Sequence, residues 1–159
     1  MDKILKRPVK EFMTKQVISV NEHESIKDLF KLMDKHDILG VPVVDKDGAL
    51  AGIVTESDLI EHFTTLKNPR SLPILGTLIY LDDISDFNKN LKEHCAEIVQ
   101  DIMTEKVISL NEDATLQDAI DLMAQKHVNR LPVTAKSGKL AGIVTRSDII
   151  HELAKLTRP

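Results

Sequence analysis

Apolar residues recur along this chain with two periods, and the change from one to the other marks out its elements. Ile26, Leu29, Phe30 and Met33 fall at i, i+3, i+4 and i+7, as do Leu116, Ala119, Ile120 and Met123, so each set forms one stripe along a helix. Ser25 and Thr115 stand just ahead of these stripes with Asp28 and Asp118 three residues on, a capping-box-like start. The short, β-branched stretch Lys15 to Val20 reads as an opening strand. Val41 to Val44 reads as a second strand, Asp45-Lys46-Asp47-Gly48 as a tight turn with Gly48 available for a positive φ, and Leu50 to Val54 as the returning hairpin strand. Pro42 and Pro132 predict that the first hairpin strand begins at a sheet edge. A last helix starts near Ser57 or Ser147, with Leu59, Ile60 and Phe63, or Ile149, Ile150 and Leu153, as its buried face.

The pattern occurs twice. Val9 to Phe63 aligns with Val99 to Leu153 at a constant offset of 90 without a gap, and 24 of the 55 paired positions are identical. The longest shared run is Leu50-Ala51-Gly52-Ile53-Val54-Thr55, repeated as Leu140-Ala141-Gly142-Ile143-Val144-Thr145. A unit of about 55 residues buries a poor core alone, so the two copies are expected to pack on each other about a pseudo-twofold axis. The organisation is then copy one at 9–63, an insertion at 64–98 and copy two at 99–153, folding as one module of α+β layers with a βαββα order in each copy. Within the insertion, Asn68 to Pro73 reads as a loop, Ile74 to Leu81 is apolar, and Leu91, Cys95 and Ile98 fall at roughly helical spacing. It is either a long connection packed across the module or an apolar flap for dimerisation or partner contact.

Composition narrows the function. With 21 Lys+Arg against 25 Asp+Glu the net charge is −4, and no basic run exceeds Lys6-Arg7, which argues against a nucleic-acid binder. Four Phe, one Tyr and no Trp leave no stacking platform, so a bound base would lie between aliphatic side chains. The longest mainly apolar stretch, Leu72 to Leu81, is interrupted by Pro73 and Gly76 and is too short to span a bilayer. No signal-peptide core is legible at Met1 to Arg7, and the expected location is cytoplasmic. Cys95 is the single cysteine and six His are scattered without ligand spacing, so no metal site is expected, and no acid, base and nucleophile pair up for catalysis.

The element most open to a functional reading is Gly52-Ile53-Val54-Thr55-Glu56-Ser57-Asp58 with its counterpart Gly142-Ile143-Val144-Thr145-Arg146-Ser147-Asp148. Each lies where a strand passes into a helix. The Thr hydroxyl sits beside the unpaired N–H groups of a helix start, which favour an anion, and the Asp three residues on can accept from a pair of ribose hydroxyls. The plain alternative is that Thr55 and Thr145 cap their helices while Asp58 and Asp148 complement the dipole. Met13, Met33, Met103 and Met123 read as core fillers that could also help hold a purine.

The doubled series Met-Thr, Val-Ile-Ser, amphipathic helix, Pro-Val and Gly-Ile-Val-Thr-x-Ser-Asp resembles the cystathionine-β-synthase (CBS) domain family in its tandem form, the Bateman module, over 110 of 159 residues. The resemblance implies a regulatory module that senses adenosine-containing ligands such as AMP, ADP, ATP or S-adenosylmethionine in two clefts between the copies, self-associates as a homodimer and acts on a protein target, with no catalytic activity. It assigns Thr55 and Thr145 to phosphate or ribose, Asp58 and Asp148 to the ribose hydroxyls, and the backbone near Ile38 and Val128 to the purine. The opening strand of the other copy, Thr14 to Ile18 or Thr104 to Ile108, would line the same cleft.

The copies differ where the ligand's charge would sit. Copy two has Asn129-Arg130-Leu131-Pro132 where copy one has Leu39-Gly40-Val41-Pro42. Within the resemblance, the cleft of Thr14, Ile18, Ile38, Arg130, Thr145 and Asp148 is therefore the first choice for a phosphorylated ligand, since a guanidinium binds phosphate through two hydrogen bonds. The other cleft, of Thr55, Asp58, Thr104, Ile108 and Val128, would take a neutral adenosine moiety or stay empty. Arg130 could instead be a solvated residue pairing with a carboxylate. A competing function is a ligand-independent docking scaffold with vestigial clefts.

Overall fold

The computed structural model describes residues 2–62, 71–74, 77–80 and 97–155. Copy one holds β1 (Val20–Asn21), α2 (Ile26–His36), β2 (Gly40–Val44), β3 (Leu50–Thr55) and α3 (Glu56–His62), preceded by α1 (Asp2–Leu5). A hairpin, β4 (Ser71–Ile74) and β5 (Thr77–Tyr80), follows, and copy two holds β6 (Leu110–Asn111), α4 (Leu116–Lys126), β7 (Arg130–Thr134), β8 (Leu140–Thr145) and α5 (Arg146–Ala154). Each copy makes a three-stranded mixed sheet of the same order, β1-β2-β3 and β6-β7-β8, with the first pair parallel and the second antiparallel. The α+β layers and the βαββα order expected from the pattern are both present.

The helix starts follow the sequence closely. Ser25 caps α2 by accepting from the Asp28 N–H, and Thr115 caps α4 with a complete capping box to Asp118. Ile26, Leu29 and Met33 of α2, and Leu116, Ala119 and Met123 of α4, are buried against the sheets, with Phe30 and Ile120 at the margin. Gly48 and Gly138 turn the two hairpins at φ 80° and 83°. The two turns also meet across the axis, where Leu50 N–H donates to Gly138 O and Leu140 N–H to Gly48 O.

The copies exchange their opening segments. Thr14 pairs with Ile143 through two 3.0 Å backbone bonds, and Ile53 with Thr104 through bonds of 3.1 and 2.9 Å. Val9 is buried in the core built mainly by copy two, beneath Leu116 and Leu131, while Val99 and Ile102 are buried in the core of copy one. Met13 and Met103 lie directly on the backbone of Gly142 and Gly52, where a Cβ would displace the Met sulfur. These methionines pack at the margin of the cores.

Four expectations change. The opening strand is not Lys15 to Val20 but only Val20–Asn21, because β2 offers a partner only at Val43 and Val44. Pro42 lies in the central strand of its sheet, not an edge strand, yet β1 pairs beyond it, so one flank of β2 is open at the proline. Ile60 and Ile150 are 69% and 64% exposed and do not belong to a buried face; Ile149 is buried and Leu59 and Leu153 pack against the cores as expected, and α5 also buries Glu152, whose carboxylate pairs with Arg7 and Lys155. Ser71 to Pro73 is strand rather than loop, paired with Tyr80 to Leu78. Phe63 and the helical spacing of Leu91 and Cys95 lie outside the described residues.

Candidate functional site

Between the copies lie two cavities related by the pseudo-twofold. The larger, of about 620 Å³, is lined by Thr14, Gln16, Val17 and Ile18, by Asp37 to Gly40 and Pro42, and by Ile143, Thr145, Arg146 and Ser147. The smaller, of about 260 Å³, is lined by Thr104, Lys106, Val107 and Ile108, by His127 and Val128, and by Ile53, Thr55 and Ser57. Glu56, Asn129 and Arg130 line both. Their sizes follow from the side chains: Gln16, Asp37 and Gly40 in the larger correspond to Lys106, His127 and Arg130 in the smaller.

The chain builds both mouths by the same local rule. Asp37 and His127 end α2 and α4 in the left-handed conformation, at φ 51° and 55°, and so turn Ile38 and Val128 toward the cavities. Asp and His tolerate this region better than most residues, and such strained positions concentrate at functional sites. The unpaired run from Gln16 to Ile18, and its counterpart from Lys106 to Ile108, supplies the opposite wall.

Of the residues expected together in the favoured cleft, Thr14, Ile18, Ile38, Arg130 and Thr145 line the larger cavity, and Thr104, Ile108, Val128 and Thr55 line the smaller. Asp58 and Asp148 stand one layer back. Asp148 Oδ2 accepts from the Thr145 N–H at 2.8 Å and hydroxyl at 2.7 Å, the cap that sequence reasoning held as the plain alternative. Asp58 Oδ2 is bonded likewise by Thr55, and its Oδ1 also accepts from the Thr104 hydroxyl at 3.3 Å. Both oxygens of Asp58 are therefore engaged, whereas Asp148 Oδ1 takes part in none of these bonds.

Arg130 is neither solvated nor confined to one cleft. Its side chain is 14% exposed, its guanidinium fills the space that a side chain at Gly40 would take, and Nη1 stands 3.4 Å from Glu56 Oε2. Both atoms are buried without a hydrogen-bond partner. A polar atom left so costs about 1–3 kcal/mol, and the desolvation of such a pair offsets much of its Coulomb attraction. Exposed Arg146 and Lys106 add positive charge at the rims, where His127 adds an exposed imidazole.

Glu56, Asn129, Asp37 and His127 were not singled out from the sequence. The signal for Glu56 was present, since the two Gly-Ile-Val-Thr-x-Ser-Asp runs differ only by Glu56 against Arg146. Among the described residues there is no cluster of His, Cys, Asp or Glu able to hold a metal, and no helix long and apolar enough to cross a membrane.

A paired mixed-sheet fold with two symmetry-related clefts between the copies is the architecture of a tandem domain pair. The CBS domain model matches residues 9–65 and 99–155, and the chain belongs to that family. It is 36% identical to the uncharacterized protein MJ1426 of Methanocaldococcus jannaschii over 91% of this chain and 90% of that one. The crystal structure of CBSX2 of Arabidopsis thaliana in complex with AMP superposes with a TM-score of 0.74 at 25% identity, covering 95% of this chain and 98% of that one. The CBS pair of MJ0100, solved with 5′-methylthioadenosine and S-adenosyl-L-methionine, gives a TM-score of 0.68 at 24% identity over 96% and 98% of the two chains and shows the shared fold. Inosine-5′-monophosphate dehydrogenase of M. jannaschii is 29% identical, but the match covers 88% of this chain and only 22% of the enzyme.

Proposed function

We propose that this chain is a regulatory module that binds an adenosine-containing ligand in the larger cavity and reports occupancy by shifting its two copies or their self-association. The observation that carries the reading is the cavity of about 620 Å³ itself, a volume suited to a small ligand, with walls drawn from both copies. Ile18, Ile38 and Ile143 offer aliphatic faces to a base, and Arg130 offers donors to phosphate, with the mouth at Thr145 beside it. Asp148 Oδ1 would accept from the ribose. The AMP bound by CBSX2 supports the same ligand class. While Arg130 serves the larger cavity, the smaller one, with Thr55, Thr104, Ile108 and Val128 on its walls and Asp58 behind them, would take a neutral adenosine moiety or stay empty.

No catalytic role or cofactor is part of this reading; the nucleotide is a regulatory ligand. Walls from two copies provide the differential affinity that signalling needs, because a relative shift of the copies changes the site. The regulated partner would be a protein, and self-association as a homodimer would bring the apolar groove of Ile120, Ala124, Ile149 and Ile150 against a second chain. Isothermal titration of nucleotide-free protein with AMP, ADP, ATP and S-adenosylmethionine is the test. Micromolar binding of at least one is expected, and no heat with any of them at millimolar ligand overturns the reading in favour of a ligand-independent scaffold.

A further inference from the structure

Two cavities share one buried cation. Arg130 lines both, and so does Glu56, the carboxylate that faces it at 3.4 Å. The other cations at the cavities, Arg146 and Lys106, are exposed, so water screens them and they respond weakly to an anion inside. Copy one has no second arginine to offer, because Gly40 occupies the twofold-related position and the Arg130 guanidinium fills the space above it.

The Arg130–Glu56 contact is also incomplete. The two facing atoms are buried, close enough to attract, and form no hydrogen bond with each other or with another described residue. A guanidinium held in this way retains donors for a better acceptor, and a phosphate oxygen arriving in either cavity is one. When Arg130 turns to that phosphate, Glu56, whose side chain is 39% exposed, keeps a negative charge beside the ligand that water screens only in part.

We infer that Arg130 and Glu56 form a single gate serving both cavities: a phosphorylated ligand must take Arg130 from Glu56, and only one such ligand is accommodated per chain. Glu56 is then a specificity-determining residue that sets how strongly the module prefers phosphorylated over unphosphorylated ligand. The choice of AMP as ligand rests on the function proposed above; the shared arginine does not.

Calorimetric titration of AMP and of adenosine into the wild-type chain and Glu56→Gln tests this, with Glu56→Ala as a second variant and thermal melts to verify folding. One AMP per chain at saturation is expected, with the ratio of AMP to adenosine affinity about tenfold higher in both variants than in wild type. Two AMP molecules bound independently with equal affinity, or an unchanged ratio, overturn the gate while leaving the nucleotide reading intact. If neither AMP nor adenosine binds, the nucleotide reading fails, and inorganic pyrophosphate decides the gate by thermal shift. Greater stabilisation of Glu56→Gln than of wild type upholds it, and equal stabilisation overturns it.

Discussion

The two clefts are built on one backbone and lined differently, which separates what duplication conserves from what it leaves free to change. Strand order, register, left-handed helix ends and Thr–Asp caps repeat at both mouths. Among the side chains that line the cavities the copies differ at Gln16 against Lys106, Asp37 against His127, Leu39 against Asn129, Gly40 against Arg130 and Glu56 against Arg146. Gly40 against Arg130 has the largest consequence. It leaves above Gly40 a space that the Arg130 guanidinium enters, and so lets a single guanidinium line both clefts.

The cores provide the most severe way to break this comparison. Leu131→Ala, at a fully buried site, is expected to cost about 2–5 kcal/mol, and Val41→Ala at the matching position about 1 kcal/mol less, since one methylene fewer is removed. Urea unfolding should show one transition for both variants, because each core holds a segment of the other copy. Two separate transitions, with only one displaced by each substitution, would show that the copies unfold independently.

The arginines sharpen the comparison at the clefts. Arg130→Gln is expected to lower the ratio of AMP to adenosine affinity by about 10- to 100-fold, the loss of charge-assisted hydrogen bonds at a buried group. Arg146→Gln, at the exposed rim of the larger cavity, should lower it by less than about 5-fold. Equal effects in titration calorimetry would mean that burial does not distinguish them.

The caps give the smallest effect. Thr115→Ala is expected to cost about 1 kcal/mol and Ser25→Ala less, because only the second box is complete. The N–H and hydroxyl of Thr115 hold the Asp118 carboxyl below its ordinary range, while Lys31, followed by Ser25, does the same for Asp28. A carboxyl lowered on folding adds stability above its unfolded value, near pH 3.9, and that contribution is lost as pH falls through the lower folded value. Urea midpoints between about pH 2 and 6 should therefore fall less steeply in Asp118→Asn and Asp28→Asn. Added salt should shrink the Asp28 difference more than that at Asp118, since salt screens the exposed Lys31 ammonium far more than a hydroxyl or an adjacent backbone N–H.

Much of the frame was legible because it rests on local chemistry: apolar stripes at helical spacing, caps three residues ahead, glycine at the hairpin turns, and an offset of 90 that repeats all of it. Nine of the expected cleft residues line the cavities, because the Thr-x-Ser-Asp element and the residues before each Pro are fixed relative to their own strands. What stayed illegible depends on contacts between the copies. Nothing near Lys15 announces that its segment pairs with the opposite sheet, or that Ile150 faces outward beside a buried Glu152. The reach of Arg130 over Gly40 is likewise a distance between copies, which periodicity within either copy does not encode.

The exchanged opening segments carry an implication about ancestry. Pro8 with Thr115 and Thr14 with Ile143, on one side, match Ile98 with Ser25 and Thr104 with Ile53 on the other. Every bridge that one copy lends, it also borrows. Two identical single-copy chains could form the same set of bridges by swapping the same segment, with a true twofold where this chain has an approximate one. Joining them end to end would cost that assembly none of these contacts. It would release each cleft from having to match the other, a freedom that a symmetric pair of separate chains never has and that Arg130, with only Gly40 opposite it, records.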